Sequence, residues 1–107
     1  MKTFNQILQS EKPVLLVFSA AWCGPCKMLE PVLAQLKERM KEHVNVVKLD
    51  IDEHPIATTA CKVQQVPTLM LFEKQEVKWK DCGFHTAEKL ENIINTHLHL
   101  PSAKHEA

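Results

Sequence analysis

Two cysteines separated by two residues, in the run Trp22-Cys23-Gly24-Pro25-Cys26, carry the strongest chemical signal in the chain. They follow an apolar run and open a stretch of helical periodicity, which places Cys23 at a helix N-terminus. There the unpaired backbone N–H groups and the positive end of the helix macrodipole stabilise a thiolate, so the thiol pKa is expected to move toward neutrality. The thiolate is the attacking species in disulfide exchange. Cys26, one turn on and on nearly the same face, is near enough to close a short disulfide and expel whatever Cys23 has captured. Pro25 pre-sets helical φ in the first turn, and Gly24 leaves room for a substrate backbone. Two blander readings compete: half of a zinc site, or two buried structural thiols. A tetrahedral zinc site wants four ligands, whereas Cys61 and Cys82 stand alone and the six histidines fall at helix ends and in the tail without ligand spacing. No metal is expected.

The elements that must position this pair follow from periodicity. Thr3 and Gln6 have the capping-box spacing, and Phe4, Ile7 and Leu8 share one helical face until Pro13 stops the helix. Val14-Leu15-Leu16-Val17-Phe18 is a continuous, partly β-branched apolar run, the pattern of a central strand buried on both faces. From about residue 23 to residue 40, Met28, Leu29, Val32, Leu33, Leu36 and Met40 recur at helical spacing, predicting a long amphipathic helix with a kink at Pro31. Residues 44–50 return to a strand pattern, so strand, helix and strand form a right-handed βαβ unit with parallel strands. Residues 55–61 predict a short helix with Pro55 in its first turn, and residues 68–72 and 77–82 an antiparallel hairpin. Thr86 is the expected N-cap of a last helix whose face is Leu90, Ile93, Ile94, His97 and Leu98, stopping before Pro101. The predicted fold is an α/β domain over residues 1–100, a central mixed four-stranded sheet flanked by helices, followed by a polar tail over residues 101–107.

Composition agrees with that frame and excludes several function classes. With 107 residues, 45% hydrophobic and 24% charged, the chain reads as one soluble globular domain with its own core and no room for a second. Thirteen basic and thirteen acidic side chains cancel, so no general pull toward nucleic acid or an anionic membrane is expected. The longest apolar stretch, residues 14–22, is broken by Ser19 and is less than half the length of a bilayer span, and residues 1–10 hold no signal-peptide core. The expected compartment is the cytoplasm, where a cysteine pair is more often catalytic or metal-binding than structural.

The five residues from Trp22 to Cys26 match the thioredoxin active-site motif, and the chain resembles the thioredoxin family over nearly its whole length. Val66-Pro67-Thr68 is similar to the family's loop before a strand, which implies a cis proline facing the redox disulfide. Taken alone, Pro67 reads as an ordinary turn residue. Pro31 resembles the family's kink proline and Lys48 its semi-buried lysine. Cys82-Gly83-Phe84 resembles the third wall of a substrate groove whose other walls are Trp22 with Gly24 and Pro25, and the backbone of Val66, Pro67 and Thr68. The resemblance implies a thiol–disulfide oxidoreductase that reduces protein disulfides, with Cys23 as nucleophile and Cys26 as resolving thiol. It implies no bound cofactor, and electrons supplied by a thioredoxin-reductase-like flavoprotein. The Gly-Pro between the cysteines favours the reductant direction by the same resemblance. The alternative is a binding module that holds a partner in the groove without turnover, a role that needs neither cysteine.

Departures from the family pattern carry their own expectations. The family usually begins with a strand before the first helix, whereas this chain begins at the helix, which leaves residues 44–50 as a sheet edge. A monomer is expected, with weak edge-to-edge dimerisation as the alternative. The turn Glu73-Lys74-Gln75-Glu76 lacks the usual glycine, leaving its type open. The buried acid six residues before the first cysteine is Val17 here. Glu30, four residues after Cys26 and at the margin of the apolar face, is the candidate replacement as proton acceptor beneath Cys26, with Lys48 as its electrostatic partner. The competing reading makes Glu30 an ordinary surface glutamate. Cys61 reads as a small hydrophobe at a helix end, and Cys82, beside the groove, as a candidate third redox-sensitive thiol.

Overall fold

The opening capping box closes in the computed structural model, which describes residues 3–99. Thr3 Oγ1 accepts the Gln6 backbone N–H at 3.2 Å, and Gln6 Oε1 accepts the Thr3 N–H at 2.9 Å. Helix α1 (Phe4–Leu8) follows, then strand β1 (Val14–Ser19), helix α2 (Gly24–Met40) and strand β2 (Asn45–Asp50). Helix α3 (Pro55–Ala60), the hairpin β3 (Thr68–Glu73) and β4 (Glu76–Cys82), and helix α4 (Ala87–His97) complete the order. The predicted tail over residues 101–107 lies outside the described residues.

The sheet runs β2-β1-β3-β4, with β2 parallel to β1 and the other two pairings antiparallel. Strand alternation divides the core in two. Leu15 and Val17 of β1 pack with Leu29, Leu33, Leu36 and Met40 of α2 and with Leu90 and Ile94 of α4. Val14, Leu16 and Phe18 turn the other way, into a cluster with Leu8, Leu49, Ala57 and Phe72. These five apolar side chains of β1 are fully buried, each contributing about 1.5–3 kcal/mol of burial on the usual scale. Helix α2 buries Cys26, Leu29, Leu33, Leu36 and Met40, a run at three- and four-residue spacing, and continues through Pro31 as one helix. Met28, expected on that stripe, is 61% exposed, because the stripe is already complete on its other side at Cys26 and Leu29.

The hairpin turn settles a question the missing glycine left open. Lys74 (φ 52°) and Gln75 (φ 68°) both sit in the left-handed region. A two-residue loop adopts positive φ at both positions when its twist must match the right-handed twist of the flanking strands. At the opposite side of the sheet, Asn45 N–H donates to the Pro13 carbonyl at 2.8 Å and Ile51 N–H to the Ser19 carbonyl at 2.9 Å. Odd-numbered residues of β2 therefore turn their backbone groups to β1, and Val46, Lys48 and Asp50 present theirs to the outer edge. Among the described residues no strand precedes α1 or lies beyond β2. Nor is any described helix long and apolar enough to cross a membrane.

Candidate active site

Strand β1 ends one turn before the cysteines, and the Cys23 N–H donates to the Ala20 carbonyl at 3.2 Å, which swings the chain into α2. Cys23 is the N-cap, with extended φ and ψ (−99°, 117°), and its Sγ accepts the Cys26 backbone N–H at 3.2 Å. Sulfur takes the place that a Ser, Thr or Asp oxygen usually holds at an N-cap. Pro25 lies in the first turn, where its missing N–H costs nothing. Cys23 and Cys26 are disulfide-bonded, their Cα atoms 5.3 Å apart. Both are buried, in a small cluster with Ala20, Ile51 and Val66.

Residues distant in sequence are brought to this helix mouth. The Val66–Pro67 peptide bond is cis, and the Val66 carbonyl oxygen lies 3.7 Å from Cys23 Sγ. Thr68 starts β3, its hydroxyl donating to the Gln65 carbonyl at 2.6 Å and standing 3.5 Å from Cys82 Sγ. Thr68 and Cys82 are partners in the β3–β4 register, and the next N–H, that of Gly83, donates to the Pro67 carbonyl at 2.9 Å. Gly83 has φ of +91°, a conformation few side chains tolerate. Trp22 is 68% exposed, and its Nε1–H donates to Asp52 Oδ2 at 3.3 Å. Phe84 is also exposed.

Lys48 and Glu30 lie at the margin of the fold, about half exposed: their side chains are 47% and 57% accessible. The reason is the edge position of β2, where no further strand covers Lys48. The two do meet, Lys48 Nζ to Glu30 Oε2 at 3.1 Å, and both line a hollow of about 410 Å³ together with Cys26, Ser19 and Asp50. Val17, which stands opposite Lys48 in the β1–β2 register, is fully buried among the α2 side chains.

Sequence reasoning also missed residues. His85, directly before the Thr86 N-cap of α4, is 4% exposed, with Nδ1 2.9 Å from the Gly83 carbonyl oxygen and Nε2 3.0 Å from Asp81 Oδ2. The available signal was the acid and histidine flanking Cys82 and Gly83. The hydrogen bond from His85, with a second from the Cys82 N–H, holds the Asp81 carboxyl below the usual carboxylate range. Burial pushes the Cys61 thiol up, against the opposing charge of Lys80. Among the described residues, no three His, Cys, Asp or Glu side chains converge to hold a metal ion.

Known proteins share this arrangement. The Thioredoxin family model matches residues 1–96. The thioredoxin of Alicyclobacillus acidocaldarius is 42% identical over 88 residues, 82% of this chain and 84% of its own. That of Bacillus subtilis is 40% identical over 89 residues, 83% of this chain and 86% of its own. The crystal structure of chloroplastic thioredoxin z superposes with a TM-score of 0.78 at 32% identity, covering 87% of this chain and 84% of that one. A redox disulfide at the mouth of a helix, joined to a family match over most of its length, makes this chain a protein-disulfide reductase of the thioredoxin family.

Proposed function

We propose that the chain works in the cytoplasm as an electron carrier, with Cys23 as nucleophile, Cys26 as resolving thiol, and electrons drawn from a thioredoxin-reductase-like flavoprotein. The observation that carries the division of labour is the N-cap position of Cys23. Its sulfur already accepts a helix N–H, so the negative charge of a thiolate meets a donor and the positive end of α2 without rearrangement. The thiolate attacks one sulfur of a substrate disulfide, forming a mixed disulfide and expelling the other sulfur as thiolate. Cys26, deprotonated, then attacks the Cys23 sulfur, releasing the second substrate thiolate and leaving the Cys23–Cys26 disulfide. Two electrons have passed to substrate, and the reductase restores them.

Trp22, Gly24 and Pro25 on one side, Val66, Pro67 and Thr68 on the second, and Cys82 with Gly83 on the third form the groove for the substrate chain in this reading. Cis Pro67 and the nearby Val66 carbonyl support it. Glu30 is the proton acceptor for Cys26, with Lys48 as its partner; the hollow they share with Cys26 supports a path for that proton.

Reduction of insulin disulfides with dithiothreitol as reductant tests the reading. The wild-type chain is expected to accelerate the reaction and Cys23→Ser to abolish it. Cys26→Ser is expected to accumulate a mixed disulfide on Cys23. A trap formed on Cys26 instead would reverse the two roles, and a wild-type chain without acceleration would remove the reductase assignment.

A further inference from the structure

The third wall of the groove carries a buried histidine that disulfide exchange does not use. His85 lies two residues past Gly83, its ring edge-on to Trp79 with centroids 5.5 Å apart. Its two nitrogens face two acceptors, the Gly83 carbonyl at 2.9 Å and Asp81 Oδ2 at 3.0 Å. The other oxygen of the same carboxylate accepts the Cys82 N–H at 2.8 Å. Gly83 in turn donates its N–H to the Pro67 carbonyl. The peptide opposite Pro67 is thus clamped on both sides by one acid and one imidazole.

A carbonyl oxygen only accepts, and so does an ionised carboxylate. Both ring bonds are therefore made together only when each nitrogen carries a proton. Asp81 is half exposed, and Lys89 in the first turn of α4 adds a positive charge that favours its ionised form. Against the ring stand the Asp81 carboxylate at one nitrogen and the Trp79 ring at its face, both from β4. When the ring gives up one proton, the remaining N–H goes to the carboxylate, because charge-assisted bonds are about twice as strong as neutral ones. Nδ1 and the Gly83 oxygen then set lone pair against lone pair.

We propose that His85 is a positioning residue for substrate docking: with a proton on each ring nitrogen it holds the Gly83 carbonyl and, through the Gly83 N–H, the Pro67 carbonyl, and so orders the groove wall. The proposal rests on the reading of this wall as part of the substrate groove.

Steady-state reduction of insulin by the full chain tests it through the split between KM and kcat. His85→Leu is expected to raise KM about fivefold, the effect of one hydrogen bond of ordinary net strength, with kcat moved less than about twofold. His85→Asn, whose amide can donate to the Gly83 carbonyl, is expected to restore the low KM. A His85→Leu KM within about twofold of the wild-type value, or a fall in kcat matching the rise in KM, would overturn the proposal. A second arm needs no variant and no turnover: nitrogen NMR of the labelled wild-type chain. Both His85 ring nitrogens are expected to be protonated at pH 5.5, with the Gly83 amide protected relative to its intrinsic exchange rate at that pH. A singly protonated ring at pH 5.5 would overturn the proposal even if the variants unfold. Failure of the wild-type chain to reduce insulin would strike the reductase reading alone, since the NMR arm still decides the state of the clamp.

Discussion

Cys23 does two jobs with one sulfur atom: it caps α2 and it holds the reactive bond. The cap bond from the Cys26 N–H means that the charge of the thiolate is met by a donor already in place, so little reorganisation accompanies attack. The proton of Cys26 is the harder problem, because Val17 offers nothing where the family carries an acid. An acid at position 17 would stand across the strand pair from Lys48; with valine there, the ammonium reaches α2 and pairs with Glu30 instead. An ion pair this exposed contributes about 0–1 kcal/mol to stability, too little to be the reason for the arrangement. Kinetics is the discriminating readout. Glu30→Ala is expected to slow resolution of a Cys23 mixed disulfide by about tenfold, below the usual range for general acid–base catalysis because the group is half exposed, and to leave the first attack within about twofold. Stopped-flow measurement of both steps across neutral pH checks this, and unchanged resolution would take Glu30 off the proton path.

Among the elements, β1 and the β3–β4 hairpin do most of the positioning. Strand β1 is buried on both faces, so its end cannot shift without disturbing two cores, and the turn into Cys23 inherits that rigidity. The hairpin fixes Thr68 opposite Cys82 and so sets Gly83 across from Pro67. Its own turn is less well served. Lys74 and Gln75 both occupy positive φ, where a side chain meets the backbone unfavourably and glycine does not. Gln75→Gly is expected to raise stability by about 0.5–1 kcal/mol, read as a higher denaturant midpoint with an unchanged slope. A lower midpoint would mean that the glutamine side chain contributes more than its backbone conformation costs.

At the scale of the whole molecule, β2 is the exposed flank. Its outer backbone groups at Val46, Lys48 and Asp50 could template another strand, but two of those three residues are charged, a common protection against edge pairing. Bonds from Asn45 Nδ2 to Ser10 Oγ at 2.6 Å and from Lys12 Nζ to the Lys41 carbonyl at 2.7 Å also tie the preceding loop across the start of the strand. The chain is expected to sediment as a monomer at tens of micromolar; a concentration-dependent dimer would show that this protection fails. How much of this was legible in advance depends on the range of the interaction. Strand and helix identities, the capping box at Thr3, the Thr86 cap and the Cys23–Cys26 pair at a helix mouth were readable, because each is written within a few neighbouring residues. The turn conformation at Lys74 and Gln75 and the degree of exposure of Lys48 were not, because periodicity reports which face a residue takes and not what lies across from it, and the approach of Val66 to Cys23 was expected through the family resemblance alone. His85 is the clearest case. Its residue type argues for the surface, and although both acceptors lie within four residues of it, burial became tolerable only when the turn at Gly83, held by its N–H on the distant Pro67 carbonyl, set one acceptor against each ring nitrogen, which only the tertiary structure decides.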